Sequence, residues 1–240
     1  MTGNFFINQR AVSGSVVLAA GIYGHDRFKA GSGGCSYTFA TLNGVTTITI
    51  SAGTLEQVIE AENIEAGDYI LSWTGTAQGQ IDGGGFGDSG LVTDTLDGSA
   101  NVTVEFDTGT LSLPQLELGT DVTAYERRPI GEELNLCHRY YERWDFITNR
   151  VLTTAQAISS SGVNGGIHFK EKRAIPTVGN GGNFDARNSV YNSAGGSISF
   201  ASATTTHSRL SITGASGLSA GDASGIFTNA TTYVDFDAEL

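Results

Sequence analysis

Cysteine occurs only at Cys35 and Cys137, proline only three times, and 13 basic residues stand against 25 acidic ones, for a formal net charge of −12. Each shortage excludes something. Two cysteines so far apart in a chain of 240 residues make no disulfide framework, and Cys137 reads as a buried free thiol. With few basic residues and no basic run, phosphate neutralisation has no source, which argues against nucleic acid and anionic lipid as partners. No stretch approaches the ~20 apolar residues that span a bilayer, so membrane insertion is not expected. The opening MTGNFFINQR lacks the basic n-region of a signal peptide, which fits assembly in a cytoplasm. The four histidines, at 25, 138, 168 and 207, show neither HExxH nor any paired spacing suited to zinc.

What is abundant is glycine, at 33 residues, with frequent serine and threonine. This composition, and the absence of long helical patterns outside the centre, predict an all-β chain rich in turns. Alternating segments bear this out along the sequence. Tyr37 to Phe39 and Val45 to Ser51 read as strands around an Asn43-Gly44 hairpin turn. Asp68 to Thr76 places Tyr69, Leu71 and Trp73 on one face, and Asn101 to Asp107 does the same for Val102, Val104 and Phe106. Trp73 and Phe28 read as core aromatics, since rings bury large area, whereas His25 and Asp26 could sit on the rim of a site.

The centre differs. Pro129 precedes a candidate helix start, Glu132 and Glu133 fall in its first turn, and Arg139 and Arg143 in its last, an order that suits the helix dipole. Leu134, Cys137, Tyr141 and Trp144 recur at helical spacing, so an amphipathic helix is expected over 130–145. Leu136 and Tyr140 form a second apolar stripe, which predicts cover on more than one side.

Two glycine-rich loops carry the candidate binding residues. Gln80 to Gly90 reads either as a functional loop or as a flexible turn, and it holds Asp82, Phe86 and Asp88. Gly179 to Gly196 holds Phe184, Asp185, Arg187, Asn188 and Tyr191. Sugar recognition combines a ring stacked on the pyranose face with polar groups on its hydroxyls. The second loop is denser in both, and is favoured.

Other chemistry finds little support. Gly87-Asp88-Ser89-Gly90 spells the phrase around a chymotrypsin-like nucleophile, yet Leu91 and Val92 follow it and His25 sits in GHDR. No catalytic arrangement is indicated. Asp82, Asp88, Asp94 and Asp97 are spread through one region with no DxDxDG-type loop, so no cofactor is expected and a structural calcium keeps only a slight place. No facing pair of carboxylates can be nominated for glycoside hydrolysis.

Several phrases resemble those of bacteriophage tail-fibre and minor tail proteins. The run QLELG, then Tyr125-Glu126, Arg128-Pro129 and EELNLCHRYYER, is similar to that family's junction between a jelly-roll, carbohydrate-binding-module-like domain and a following helix. The opening NFFINQR, the phrase YGHDRFKAG, the segment Ala174-Ile175-Pro176-Thr177 and the closing TYVDFDAEL resemble further phrases of the same family. The resemblance implies a virion tail location, attachment to host surface polysaccharide, association with other phage tail proteins and a homotrimer. The expected architecture is two β-sandwich (jelly-roll-like) domains joined by a single amphipathic helix. Residues 1–128 would form the carbohydrate-binding-module-like domain, and 129–240 the helix and a receptor-binding C-terminal sandwich. A non-catalytic receptor-binding role is expected. The alternatives are a structural tail or baseplate protein that binds only virion proteins, and a polysaccharide depolymerase.

Overall fold

The computed structural model describes residues 5–188, 192–193, 197–201, 203–229 and 231–240. It is nearly all β, built of antiparallel sheets in two compact units, residues 1–137 and 138–240.

The first unit contains β1 (Val16–Leu18), β2 (Lys29–Leu42), β3 (Val45–Ile59), β4 (Gly67–Gly75), β5 (Gly79–Ile81), β6 (Val92–Leu96), β7 (Val102–Phe106) and β8 (Gly109–Leu118). The β2–β3 hairpin turns on Asn43 and Gly44, at φ of 51° and 75°, the left-handed pair that a two-residue turn requires. β2 then runs along one side of β3. Along its other side β3 changes partner. Ile48 to Ile50 pair with β8, and Leu55 to Ile59 pair with β7. One long strand thus belongs to two wings, β8-β4-β6 and β7-β5. Apolar residues of both wings form one core, in which Trp73 of β4 meets Phe106 of β7 edge to face, ring centroids 5.3 Å apart. Trp73 and Phe28 are core residues as expected, and Trp73 Nε1 donates to Ala77 O at 3.0 Å. Phe5 to Ile7 are turn and coil. His25 and Asp26 are buried rather than set on a rim.

The helix is shorter than the periodicity predicts. α1 covers Ile130–His138, and β9 (Tyr141–Phe146) follows at once. The segment YERWDF also alternates at period two. Pairing with the last strand of the chain turns Trp144 and Phe146 towards the core of the second unit and Arg143 and Asp145 away. Cys137, Tyr141 and Trp144 therefore share no helical face. Of the helix residues Cys137 alone is buried; of the second stripe Leu136 stays 45% exposed, whereas Tyr140, past the helix end, is buried.

The second unit holds β9 and β10 (Val151–Ser159), β11 (Gly162–His168), β12 (Thr177–Gly181), β13 (Phe184–Arg187), β14 (Asn192–Ser193), β15 (Ser197–Ala201), β16 (His207–Thr213), β17 (Ala223–Thr228) and β18 (Thr232–Asp237). Seven strands form one sheet in the order β14-β13-β17-β10-β11-β16-β15, and β12-β18-β9 form another. Their apolar faces share a core. In it Phe236 stacks on Phe169 at 4.2 Å and meets Trp144 at 4.9 Å.

The segment from Gly179, expected as a loop, enters both sheets through β12 and β13. Glycine composition misleads here because Gly181 lies opposite Tyr233, whose ring occupies the space a Cβ would need. The glycine admits a neighbour's side chain into a strand.

At the end of α1 a buried ion pair organises the second unit. Lys172 Nζ, fully buried, donates to His138 O at 2.6 Å and to Glu142 Oε2 at 2.7 Å. Glu142 also accepts from Lys170 N at 3.0 Å and from Trp144 Nε1 at 2.8 Å. Burial pushes the Glu142 carboxyl up, but these donors outweigh it and hold it below the usual carboxylate range. The lysine thereby satisfies a terminal helix carbonyl as a C-terminal cation does.

Candidate functional site

In the second unit the alternation of β13 and β17 decides which predicted residues can meet a ligand. Phe184 pairs with Thr228 and Ala186 with Ile226, and all four point into the core. Phe184 is 1% exposed. It cannot present a ring face to a sugar, and its nomination as a stacking platform is corrected. Asp185 and Arg187 point the other way and share the outer face with Phe227 and Gly225. Gly225 makes room for the neighbouring ring, since a Cβ there would lie 2.7 Å from Phe227 Cε2.

Arg187 is the centre of this face. Its guanidinium lies over the Phe227 ring, 4.8 Å from the centroid, a cation–π geometry. It donates to Asp185 Oδ2 at 2.9 Å and to Asn149 Oδ1 at 3.0 Å. Asp185 is buried beneath, and its other oxygen accepts from Asn229 Nδ2 at 3.1 Å. Asn188 Nδ2 donates to Asp222 Oδ2 at 3.3 Å, and Asp222 also accepts from Ser219 N at 3.2 Å. Arg187 Nε is the one donor here left open, buried and without a hydrogen-bond partner among the described residues. Such groups ordinarily find a partner in water or a ligand. Asn149 is exposed, and Arg187, Asn188 and Phe227 are half-buried.

Of the five residues nominated in this region, Asp185 and Arg187 thus lie on one face beside a ring, and Asn188, past the end of β13, bonds Asp222 instead. Tyr191 falls outside the described residues. The ring that the face offers, Phe227, and the amides Asn149 and Asn229 come from distant segments, brought in by the pairing of β13 with β17 and by the turn before β10. No local signal marks them.

The loop of the first unit is more ordered than its glycines imply. Gly79 and Gly87 exchange two backbone hydrogen bonds at 2.9 Å, closing it at its base. Asp82, at φ 46°, accepts from Thr103 N at 2.7 Å, and Asp88 accepts from Gln78 Nε2 at 3.2 Å. Both carboxylates serve the loop's own geometry. Phe86 is 41% exposed and free of core packing. Ser89 Oγ accepts from Trp73 N at 2.8 Å and donates to Trp73 O at 2.6 Å, and the ring of His25 is bonded to Tyr37 Oη at 3.0 Å. The two residues make no nucleophile–base pair. Asp94 and Asp97 bond their own neighbours' amides, and among the described residues no three metal-ligating side chains converge.

Comparison of the chain with family models, with curated proteins and with solved structures finds no match.

Proposed function

We propose that the chain is a non-catalytic glycan-binding protein of the bacteriophage tail, used in attachment to host surface polysaccharide. The observation that carries this reading is the Arg187 cluster: a planar cation stacked on Phe227, flanked by Asn149 and Asp185, with its Nε donor unmatched. The guanidinium and the exposed Asn149 amide suit neighbouring sugar hydroxyls, which both donate and accept, while the buried Asp185 holds Arg187 in place. The tail location and a homotrimeric state rest on the phrases QLELG, EELNLCHRYYER and TYVDFDAEL, whose resemblance to tail proteins is the support for both.

A second reading, a structural tail component that binds other virion proteins, is favoured by a specific surface of the first unit. Phe6 and Ile130, 44% and 56% exposed, line a cavity of about 320 Å³ together with Arg127 and Arg128.

Binding of the purified chain to an array of bacterial surface polysaccharides separates the two. A folded chain that binds no glycan and no host cell would end the first reading. Where binding is found, the double variant Asp185→Asn, Arg187→Gln removes both charges together while keeping polar groups in place. Glycan binding should fall at least about tenfold, the loss of a charge-assisted hydrogen bond, with the circular dichroism spectrum unchanged.

A further inference from the structure

We infer that His168 and His207 form a binding site for one borderline transition-metal cation, Zn²⁺, Ni²⁺ or Cu²⁺, on the outer face of the seven-stranded sheet. The two residues are far apart in sequence but are direct cross-strand partners, His168 of β11 opposite His207 of β16. The next pair along carries the hydrogen bond, Phe169 N donating to Thr206 O at 3.0 Å. His168 and His207 therefore occupy a non-hydrogen-bonded position, where side chains of facing strands come closest. Both are exposed, and their ring centroids are 5.7 Å apart. Two imidazoles holding one ion at about 2.0–2.1 Å from each nitrogen place their centroids about 5 Å apart, so a small rotation about the side-chain torsions closes the site.

The surroundings favour one nitrogen of His207. Its Nδ1 lies 2.8 Å from Thr204 Oγ1. When Nδ1–H donates to that oxygen, the lone pair falls on Nε2, and the Thr204 hydroxyl proton is left for His207 O at 3.4 Å. A hydrogen bond on the far nitrogen is how proteins orient a metal-binding imidazole. The His168 ring makes no hydrogen bond to a described residue, so its nitrogens carry no competing partner. Arg209 alternates with His207 along β16 and shares its face. A nearby guanidinium disfavours hard cations held by charge alone, and the site accordingly selects ions that bond to imidazole nitrogen. Water would complete the coordination.

The site is independent of the glycan reading, and its test needs no sugar. Isothermal titration of the full chain with ZnCl₂ or NiCl₂ at pH 7.5 should show one ion bound per chain, with no uptake of Ca²⁺ at the same site. Binding ties β11 to β16, so saturating Zn²⁺ should raise the melting temperature, because an ion that binds the folded state stabilises it. His168→Asn and His207→Asn should each weaken binding at least tenfold and abolish the thermal shift, with the circular dichroism spectrum unchanged. Absence of stoichiometric Zn²⁺ or Ni²⁺ uptake, or uptake that both variants retain, would overturn the assignment.

Discussion

At His25 a titratable ring lies in the core of the first unit with one nitrogen engaged and the other not. Nδ1 meets Tyr37 Oη at 3.0 Å, Nε2 is buried without a hydrogen-bond partner, and Phe39 packs edge-on at 4.5 Å. Burial lowers its pKa from 6.5 to about 4. The folded state therefore refuses a proton that the unfolded chain accepts, so this contribution to stability is complete above pH 6.5 and is lost as pH falls towards 4. The loss amounts to roughly 3 kcal/mol. Urea midpoints measured from pH 7 to pH 4 should fall more steeply for the natural chain than for His25→Gln. Asp26 acts in the opposite sense, because burial raises its carboxyl, and it is common to both proteins. Equal slopes would show that His25 charges without cost. A second residue-scale contrast concerns the two candidate rings. Phe184→Ala should destabilise the second unit by about 3–5 kcal/mol, as expected of a large core ring. Phe86→Ala, at a ring 41% exposed, should leave the melting temperature within a degree or two of its starting value. Thermal denaturation of the two variants checks both.

The junction of α1 with β9 shows what one element imposes on the next. Lys172, Glu142, Trp144 and the carbonyl of His138 form a single buried network. Breaking one side of a buried pair strands the other charge, so Lys172→Met should cost about 3–5 kcal/mol, whereas Lys172→Met with Glu142→Leu should recover part of it. Denaturant midpoints of the natural chain, the two single variants Lys172→Met and Glu142→Leu, and the double variant give the coupling. The same junction marks the limit of legibility. The hairpin at Asn43-Gly44, the strand carrying Trp73 and the strand carrying Phe106 were all readable, because local turn chemistry and period-two burial agree there. Leu134, Cys137, Tyr141 and Trp144 satisfy a helical period, yet YERWDF satisfies a strand period equally, and the deciding partner is β18 at the far end of the chain. The candidate site was legible in the same uneven way. Asp185 and Arg187 stood out by residue type, but their facing depends on β17, as does the ring beside them. Phe184 looked exposed only because glycines and asparagines surround it.

For the molecule as a whole, the two thiols offer a probe of global order. Cys35 and Cys137 are buried and form no disulfide, and burial pushes the Cys35 thiol up to about 11. The thiolate is the reactive form, so a disulfide reagent at pH 8 should find almost no accessible thiol in the native chain and two after denaturation. Reductant should leave the melting temperature unchanged. The division of β3 between two wings bears on how fast the first unit reaches this state. Its local partner β2 is available at once through a two-residue turn, but β7 and β8 must each return from far along the chain before either wing closes on the core. Such non-local closure is slow, in the millisecond-to-second range for all-β domains. Until it happens, the far edge of β3 is unpaired and the core side chains Ile48, Ile50, Leu55 and Ile59 lack their cover. The time during which the newly made chain is prone to self-association is thus governed by the arrival of β7 and β8 at a strand that is already half paired.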